Sequence, residues 1–256
     1  MAAPKIAIQL IVFGDRVRTD VDAVLAETRA AGFSAIEAGN LIATNGEGTV
    51  RELMNRHEIS VCGAHFGYGD FADPGHLATN TAYCQTLGIR NMICSGVGDP
   101  TTADGYIASA RLFNEVGARL RQSGIAFHYH NHAWEFTDLG GVCGMDILEQ
   151  ETDPDLVRFN VDVFWVMVGG RSPSEFIRRH ADRATYFHFK DGRRLADGSV
   201  EFCELGQGEV DLIEAAHAAR AAGAEWIVAE QDQTSLTPLR SATISGQYLS
   251  QNLAFG

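Results

Sequence analysis

The chain has 256 residues, 45% of them hydrophobic, and a net charge of -13 from 20 Lys and Arg against 33 Asp and Glu. That length and composition suffice for a sizeable core and exclude both wholesale disorder and a disulfide-stapled mini-protein. The acidity works against attraction to a phosphate backbone or an anionic membrane, so neither nucleic acid nor a membrane is expected as a partner.

From the N-terminus onward, short runs rich in Ile, Val and Phe alternate with longer stretches of helical period, eight times over. The expected strands are IAIQLIV (from Ile6), SAIEA (from Ser34), ISVCGAH (from Ile59), RNMICSG (from Arg90), IAFHYH (from Ile125), LVRFNVD (from Leu156), ATYFHFK (from Ala184) and EWIVAE (from Glu225). Between them, Val21, Val24, Leu25 and Thr28 form one helical stripe, Tyr106, Ala110, Phe113, Gly117 and Leu120 another, and Leu212, Ile213, Ala216 and Ala219 a third. Gly32, Gly88, Gly124 and Gly223 each follow a helical stretch just before a strand, where a helix end needs positive φ. No linker or low-complexity segment interrupts the series, so residues 1–256 read as one domain. Eight βα units in about 250 residues are the usual size of a closed (β/α)₈ TIM barrel. A doubly wound sheet would carry a Gly-rich first turn, and the first turn here is Val12-Phe13-Gly14-Asp15.

The five cysteines, Cys62, Cys84, Cys94, Cys143 and Cys203, form no CxxC pair and read as buried free thiols. The N-terminal residues show no signal-peptide pattern, and no apolar run reaches about 18 residues. A cytoplasmic protein is expected.

In such a barrel the active site gathers at the C-terminal ends of the strands. Those ends carry Glu37, His65, the group His128, His130, Asn131 and His132 with Glu135 behind it, then Asn160 and Asp162, His188, Lys190 and Asp191, and finally Glu230 and Asp232. Residues two apart share a face, so His128 with His130, Asn160 with Asp162, Tyr186 with His188 and Lys190, and Trp226 with Val228 and Glu230 point the same way. If each set points inward, Asp162, His188 and Glu230 converge. Carboxylates with a neutral imidazole make an oxygen and nitrogen cage suited to one divalent ion, Mn²⁺ foremost, with Mg²⁺, Co²⁺ or Zn²⁺ as alternatives.

The string Tyr129-His130-Asn131-His132-Ala133-Trp134-Glu135-Phe136, with Asp162-Val163-Phe164-Trp165, His188-Phe189-Lys190-Asp191 and Glu230-Gln231-Asp232, resembles the sugar phosphate isomerase/epimerase superfamily of xylose-isomerase-like TIM barrels, in a YHNHxxEF subgroup. The similarity runs from Ile6 to Gln247-Tyr248-Leu249 and includes the Gly206-Gln207-Gly208 turn. It implies a metal held by Glu135, Asp162, His188 and Glu230. The fifth strand carries His128 where better-known branches have their Glu, so either Glu135 swings in from the loop or a histidine of that strand replaces it.

The chemistry implied is proton removal beside a carbonyl, through an enediolate, on a keto-sugar or related polyol. Glu135 and Glu230 are the expected proton-transfer pair, and Lys190 or His132 the group that polarises oxygen. His65, His130, Trp134 and Trp165 are expected to line the substrate site, with Phe136 and Phe164 as wall or core. Isomerisation or epimerisation is the first reading; a lyase or dehydratase acting on a keto-inositol or 3-keto-glycoside is the alternative. An AP-endonuclease-like phosphodiesterase would need more His and acidic ligands and a basic face, and a non-catalytic sugar-binding barrel is opposed by the intact Asp162, His188 and Glu230. Arg193 and Arg194 are the only basic cluster near the seventh strand, among Asp191, Asp197, Glu201 and Glu204, so an unphosphorylated carbohydrate is expected. A homo-oligomer stays open.

Overall fold

A computed structural model describes residues 3–253; residues 1, 2 and 254–256 of the expected 1–256 unit lie outside the described residues. Eight parallel strands close into a barrel: β1 (Lys5–Gln9), β2 (Ala35–Ala38), β3 (Ser60–Gly67), β4 (Asn91–Ser95), β5 (Ala126–His130), β6 (Val157–Asp162), β7 (Ala184–Phe189) and, as the eighth, β10 (Trp226–Ala229). Helices fill the connections, making a (β/α)₈ TIM barrel. The helix Ala103–Gln122 shows why: Thr102 accepts from Gly105 N at its start, and Tyr106, Ala110, Phe113, Val116 and Leu120 bury one stripe. Gly32, Gly88, Gly124 and Gly223 all have positive φ, from 70° to 99°, as the αβ turns require.

Two features depart from the pattern expected along the chain. The first strand stops at Gln9 instead of running to Val12, because the Gln9 side chain accepts from Ile11 N and turns Leu10–Phe13 into a 3₁₀ helix. After β7, an antiparallel hairpin of β8 (Asp191–Arg194) and β9 (Val200–Cys203) stands outside the barrel. Its local signal was Asp197-Gly198, with Gly198 at φ 88°.

Inside the barrel, Ala7, Ala35, Cys62, Ile93, Tyr186 and Val228 form a buried apolar floor. Gly63 makes room for it, since a Cβ there would lie 2.5 Å from Tyr186 Oη and 2.7 Å from Ile93 Cδ1. All five cysteines are free and buried. Among the described residues no helix is long and apolar enough to cross a membrane.

Candidate active site

One step above the floor the inward face turns ionisable. Parallel register sets Asp162 of β6 beside His188 of β7, and His188 beside Val228 of β10, from which the chain continues to Glu230. His130 enters from β5, where Asn160 is its register partner. His130, Asp162, His188 and Glu230 each bring one ligand atom within 4.8 Å of the others, all of them buried. His188 Nδ1 lies 2.7 Å from Glu230 Oε2, and its Nε2 lies 2.9 Å from Glu37 Oε2. The Lys190 ammonium stands over the group, 3.3 Å from Asp162, 3.2 Å from Glu230 and 2.8 Å from Asp232.

Charges this deep survive only when paired. Burial by itself would raise the Glu37 carboxyl, but His188 and His65 beside it hold it at about 2. For His188, burial works against the cation and is outweighed by Glu37 and Glu230, which lift it to about 10. Burial pushes Asp162 up to about 7 despite Lys190, whereas at Glu230 the opposing pull of Lys190 and His188 wins over burial and keeps the carboxyl well below its usual range. Burial, reinforced by His188 and His132, keeps His130 neutral.

This donor set fits a divalent ion. Two carboxylates and two imidazoles match the oxygen and nitrogen preference of Mn²⁺ or Zn²⁺. His130 Nδ1 is buried and makes no hydrogen bond within the protein, and the equally buried Asp162 Oδ2 meets only the Lys190 ammonium, at 3.3 Å, which leaves lone pairs for a further partner.

Glu135, expected both as a ligand and in the proton-transfer pair, is not among these groups. Its Oε1 accepts from Tyr129 Oη at 2.6 Å and its Oε2 from His132 N at 2.8 Å. Tyr129 alternates with the inward His128 and His130 and packs outward against Phe113, so Glu135 is drawn behind the strand. There it ties down the turn that carries His132, while His130 takes the place in the cluster given to it. Burial raises the Glu135 carboxyl to about 7 against the hydrogen bonds from Tyr129 and the backbone.

The remaining expected residues gather around the mouth. His65 packs edge-on to His130 with ring centres 5.1 Å apart, and lies 5.6 Å from the His188 ring. His132 stacks on Trp134 at 4.0 Å, and burial keeps it neutral, at about 3. The Trp165 face lies 5.2 Å from Lys190 Nζ. Phe136 turns away to pack on Phe176, and Phe164 packs on Phe202.

Asp191 has a structural task. Its carboxylate accepts from the backbone N of Gly192, Gly206, Gly208 and Val210, which shapes the Gly-Gln-Gly turn. Arg193 is committed to Glu201 and the Gln207 carbonyl. Beyond Glu37 a cavity of about 410 Å³ opens at the rim, lined in part by Gln9, Ile11, Gly39, Asn40 and Thr44. The sequence had shown Glu37 and Asp232 only as strand-end acids, without their partners.

The family described as xylose isomerase-like TIM barrel matches residues 25–249. The chain belongs to this family. An inosose dehydratase of Geobacillus kaustophilus is 27% identical over 202 residues, covering 67% of the chain and 62% of that protein. The chain thus spans about three-fifths of that relative's length. Among solved structures, a sugar phosphate isomerase/epimerase from Parabacteroides distasonis superposes with a TM-score of 0.81 at 19% identity, covering 100% of this chain and 96% of the other. The IOLI protein with a bound zinc atom gives 0.76 at 14% identity, covering 98% of each chain. Together with the family match, these superpositions agree on the xylose isomerase-like barrel as the fold of the chain.

Proposed function

We propose that the protein is a divalent-metal-dependent lyase that removes water from an unphosphorylated keto-polyol or keto-sugar. The observation that carries this reading is the withdrawal of Glu135. Without it, Glu230 and Lys190, 3.2 Å apart, are the acid and base that face the cluster from one side. Epimerisation calls for proton transfer on both faces of a carbon, whereas elimination runs with a single paired acid and base.

His130, Asp162, His188 and Glu230 would hold the ion, which supplies Lewis acidity toward the carbonyl and a neighbouring hydroxyl of the substrate. Glu230 has one oxygen for that role and one for the proton. Its carboxylate takes the proton from the carbon beside the carbonyl. Lys190 Nζ then gives a proton to the hydroxyl of the next carbon, which leaves as water. The proton on Glu230 passes to Lys190, and both groups return to their starting state. Trp134 and Trp165 offer flat faces to the C–H side of a ring. The dehydratase relative supports the outcome, and the zinc of the IOLI protein supports the ion. The paired state of Arg193 supports a substrate without phosphate.

A second reading, isomerase or epimerase, is favoured by the imidazoles of His65 and His132, which could supply the opposite face. Incubation with Mn²⁺ and keto-inositols, 3-keto-glycosides or ketoses in D₂O separates the two. The lyase yields an unsaturated carbonyl product with new ultraviolet absorbance. An epimer or isomer, deuterated at the reacting carbon and formed without that absorbance, would replace the lyase with the second reading.

A further inference from the structure

Glu37, at the end of β2, is completely buried and belongs to none of the steps above. Its two oxygens serve two histidines: Oε1 lies 2.7 Å from His65 Nδ1, and Oε2 lies 2.9 Å from His188 Nε2. Tyr186 Oη, rising from the apolar floor, donates to Oε2 at 2.8 Å and anchors the carboxylate from below. An ionised carboxylate only accepts hydrogen bonds, so each ring nitrogen facing it carries a hydrogen. For His188 the other nitrogen, Nδ1, faces the ionised Glu230 at 2.7 Å and carries a hydrogen as well, so an ion entering between them would displace that proton and leave Nε2–H on Glu37, with the Nδ1 lone pair turned to the ion. For His65 the other nitrogen, Nε2, is free to act as an acceptor and lies 2.5 Å from Ser95 Oγ at the end of β4.

We propose that Glu37 is a positioning residue that sets the tautomers of His188 and His65 together, holding the Nδ1 lone pair of His188 toward the ion and the Nε2 lone pair of His65 toward Ser95 and the mouth. The proposal rests on the metal-site reading above. A histidine ligand held by a carboxylate through its second nitrogen is oriented and made more basic, and removing such a partner typically weakens metal binding about 10–100-fold. A glutamine in its place has one accepting oxygen and one donating nitrogen, so it satisfies only one of the two rings in the required tautomer.

The test uses Zn²⁺ as the probe, titrated calorimetrically into the metal-free wild type, Glu37→Gln and Ser95→Ala. The wild type is expected to take up one ion per chain, Glu37→Gln to bind about 10–100-fold more weakly, and Ser95→Ala, which touches only the His65 arm, to bind within about twofold of wild type. In parallel, nitrogen-15 histidine NMR of the Zn²⁺-loaded wild type, with signals assigned from His65→Asn and His188→Asn, should show Nε2–H on His188 and Nδ1–H on His65. This measurement decides the matter even if Glu37→Gln fails to fold. The opposite tautomer in either ring overturns the proposal, as does wild-type affinity in Glu37→Gln. Because Glu37, His65 and His188 also bring ligand atoms within 4.8 Å of one another, two ions per chain falling to one in Glu37→Gln would make Glu37 a ligand and likewise overturn it. A wild type that binds no Zn²⁺ would remove the metal-site reading and this one together. Normal wild-type binding with an indifferent Glu37→Gln would remove this one alone.

Discussion

On the inward face of β7, Tyr186 and His188 are two residues apart and belong to different chemistries. The same step separates Ala35 from Glu37 on β2, Ile93 from Ser95 on β4, and Val228 from Glu230 at β10. The lower layer is a buried apolar floor in which Ala7, Ala35 and Cys62 leave room for the large Tyr186 ring. The upper layer holds Glu37, Asp162, His188, Lys190 and Glu230, all buried, and every carboxylate in it lies against a cationic side chain. The difference teaches that the floor and the mouth are coupled. A rigid floor fixes where the strand ends emerge, and only at fixed positions can opposite charges offset each other's desolvation. Glu135 is the informative third case. It is as deeply buried as Glu37, but has a phenol and a backbone amide for partners instead of two imidazoles, and its carboxyl sits at about 7 where that of Glu37 sits at about 2.

The change that should break the upper layer most severely is His188→Ala. It removes a ligand and leaves Glu37 and Glu230 buried without their shared cation, the kind of loss that costs about 3–5 kcal/mol. Metal content should fall to background, turnover should be abolished, and the urea midpoint should drop. Full metal stoichiometry in this variant would show that the cluster is not built around His188.

Glu135→Gln tests the contrast between the two buried glutamates. An acid whose folded pKa is raised binds more protons folded than unfolded, so its cost to stability is absent below pH 4.5, grows as pH rises toward 7, and is complete above that. From 4.5 to about 7 this amounts to about 3 kcal/mol at about 1.4 kcal/mol per unit. Denaturant unfolding at pH 4 and pH 8 should therefore show the variant gaining stability relative to wild type at the higher pH by about that much. Metal content should stay unchanged. A parallel pH dependence in the two proteins would mean that Glu135 is already ionised and paired.

Lys190→Met sharpens the assignment of roles within the mouth. Turnover should fall about 100-fold, the scale for losing a positioned proton donor, or about 2.7 kcal/mol in barrier. Affinity for the ion should hold or rise, because a competing positive charge has gone from between Asp162 and Glu230. A loss of ion affinity would place Lys190 in support of the site instead of in the reaction. The smallest effect is expected in the floor, where Gly63→Ala forces a methyl group against Tyr186 and Ile93. It should cost about 1–3 kcal/mol of stability, as overpacking does, and leave metal content intact.

Much of this protein is local in origin and was legible in the chain. The eight apolar runs, the helical stripes, the four glycines at αβ turns and the polar strand ends each depend on neighbours within a few residues, where backbone sterics and side-chain period act directly. Parity alone put His130 on one face of its strand with His128, and the closed barrel turned that face inward. The assignment of Glu135 could not be reached the same way, because parity ends with the strand at His130, and the loop beyond it closes back on Tyr129 through contacts that the motif does not encode. Glu37 stood in plain view as a strand-end acid. Its partners His65 and His188 lie 28 and 151 positions away, and only closure of the barrel brings them to one carboxylate. Composition and period determined that the chain makes a barrel with an ionisable mouth. Which side chains share a proton there was decided by tertiary structure, because pairing energy depends on distances of a few ångströms between residues far apart in sequence.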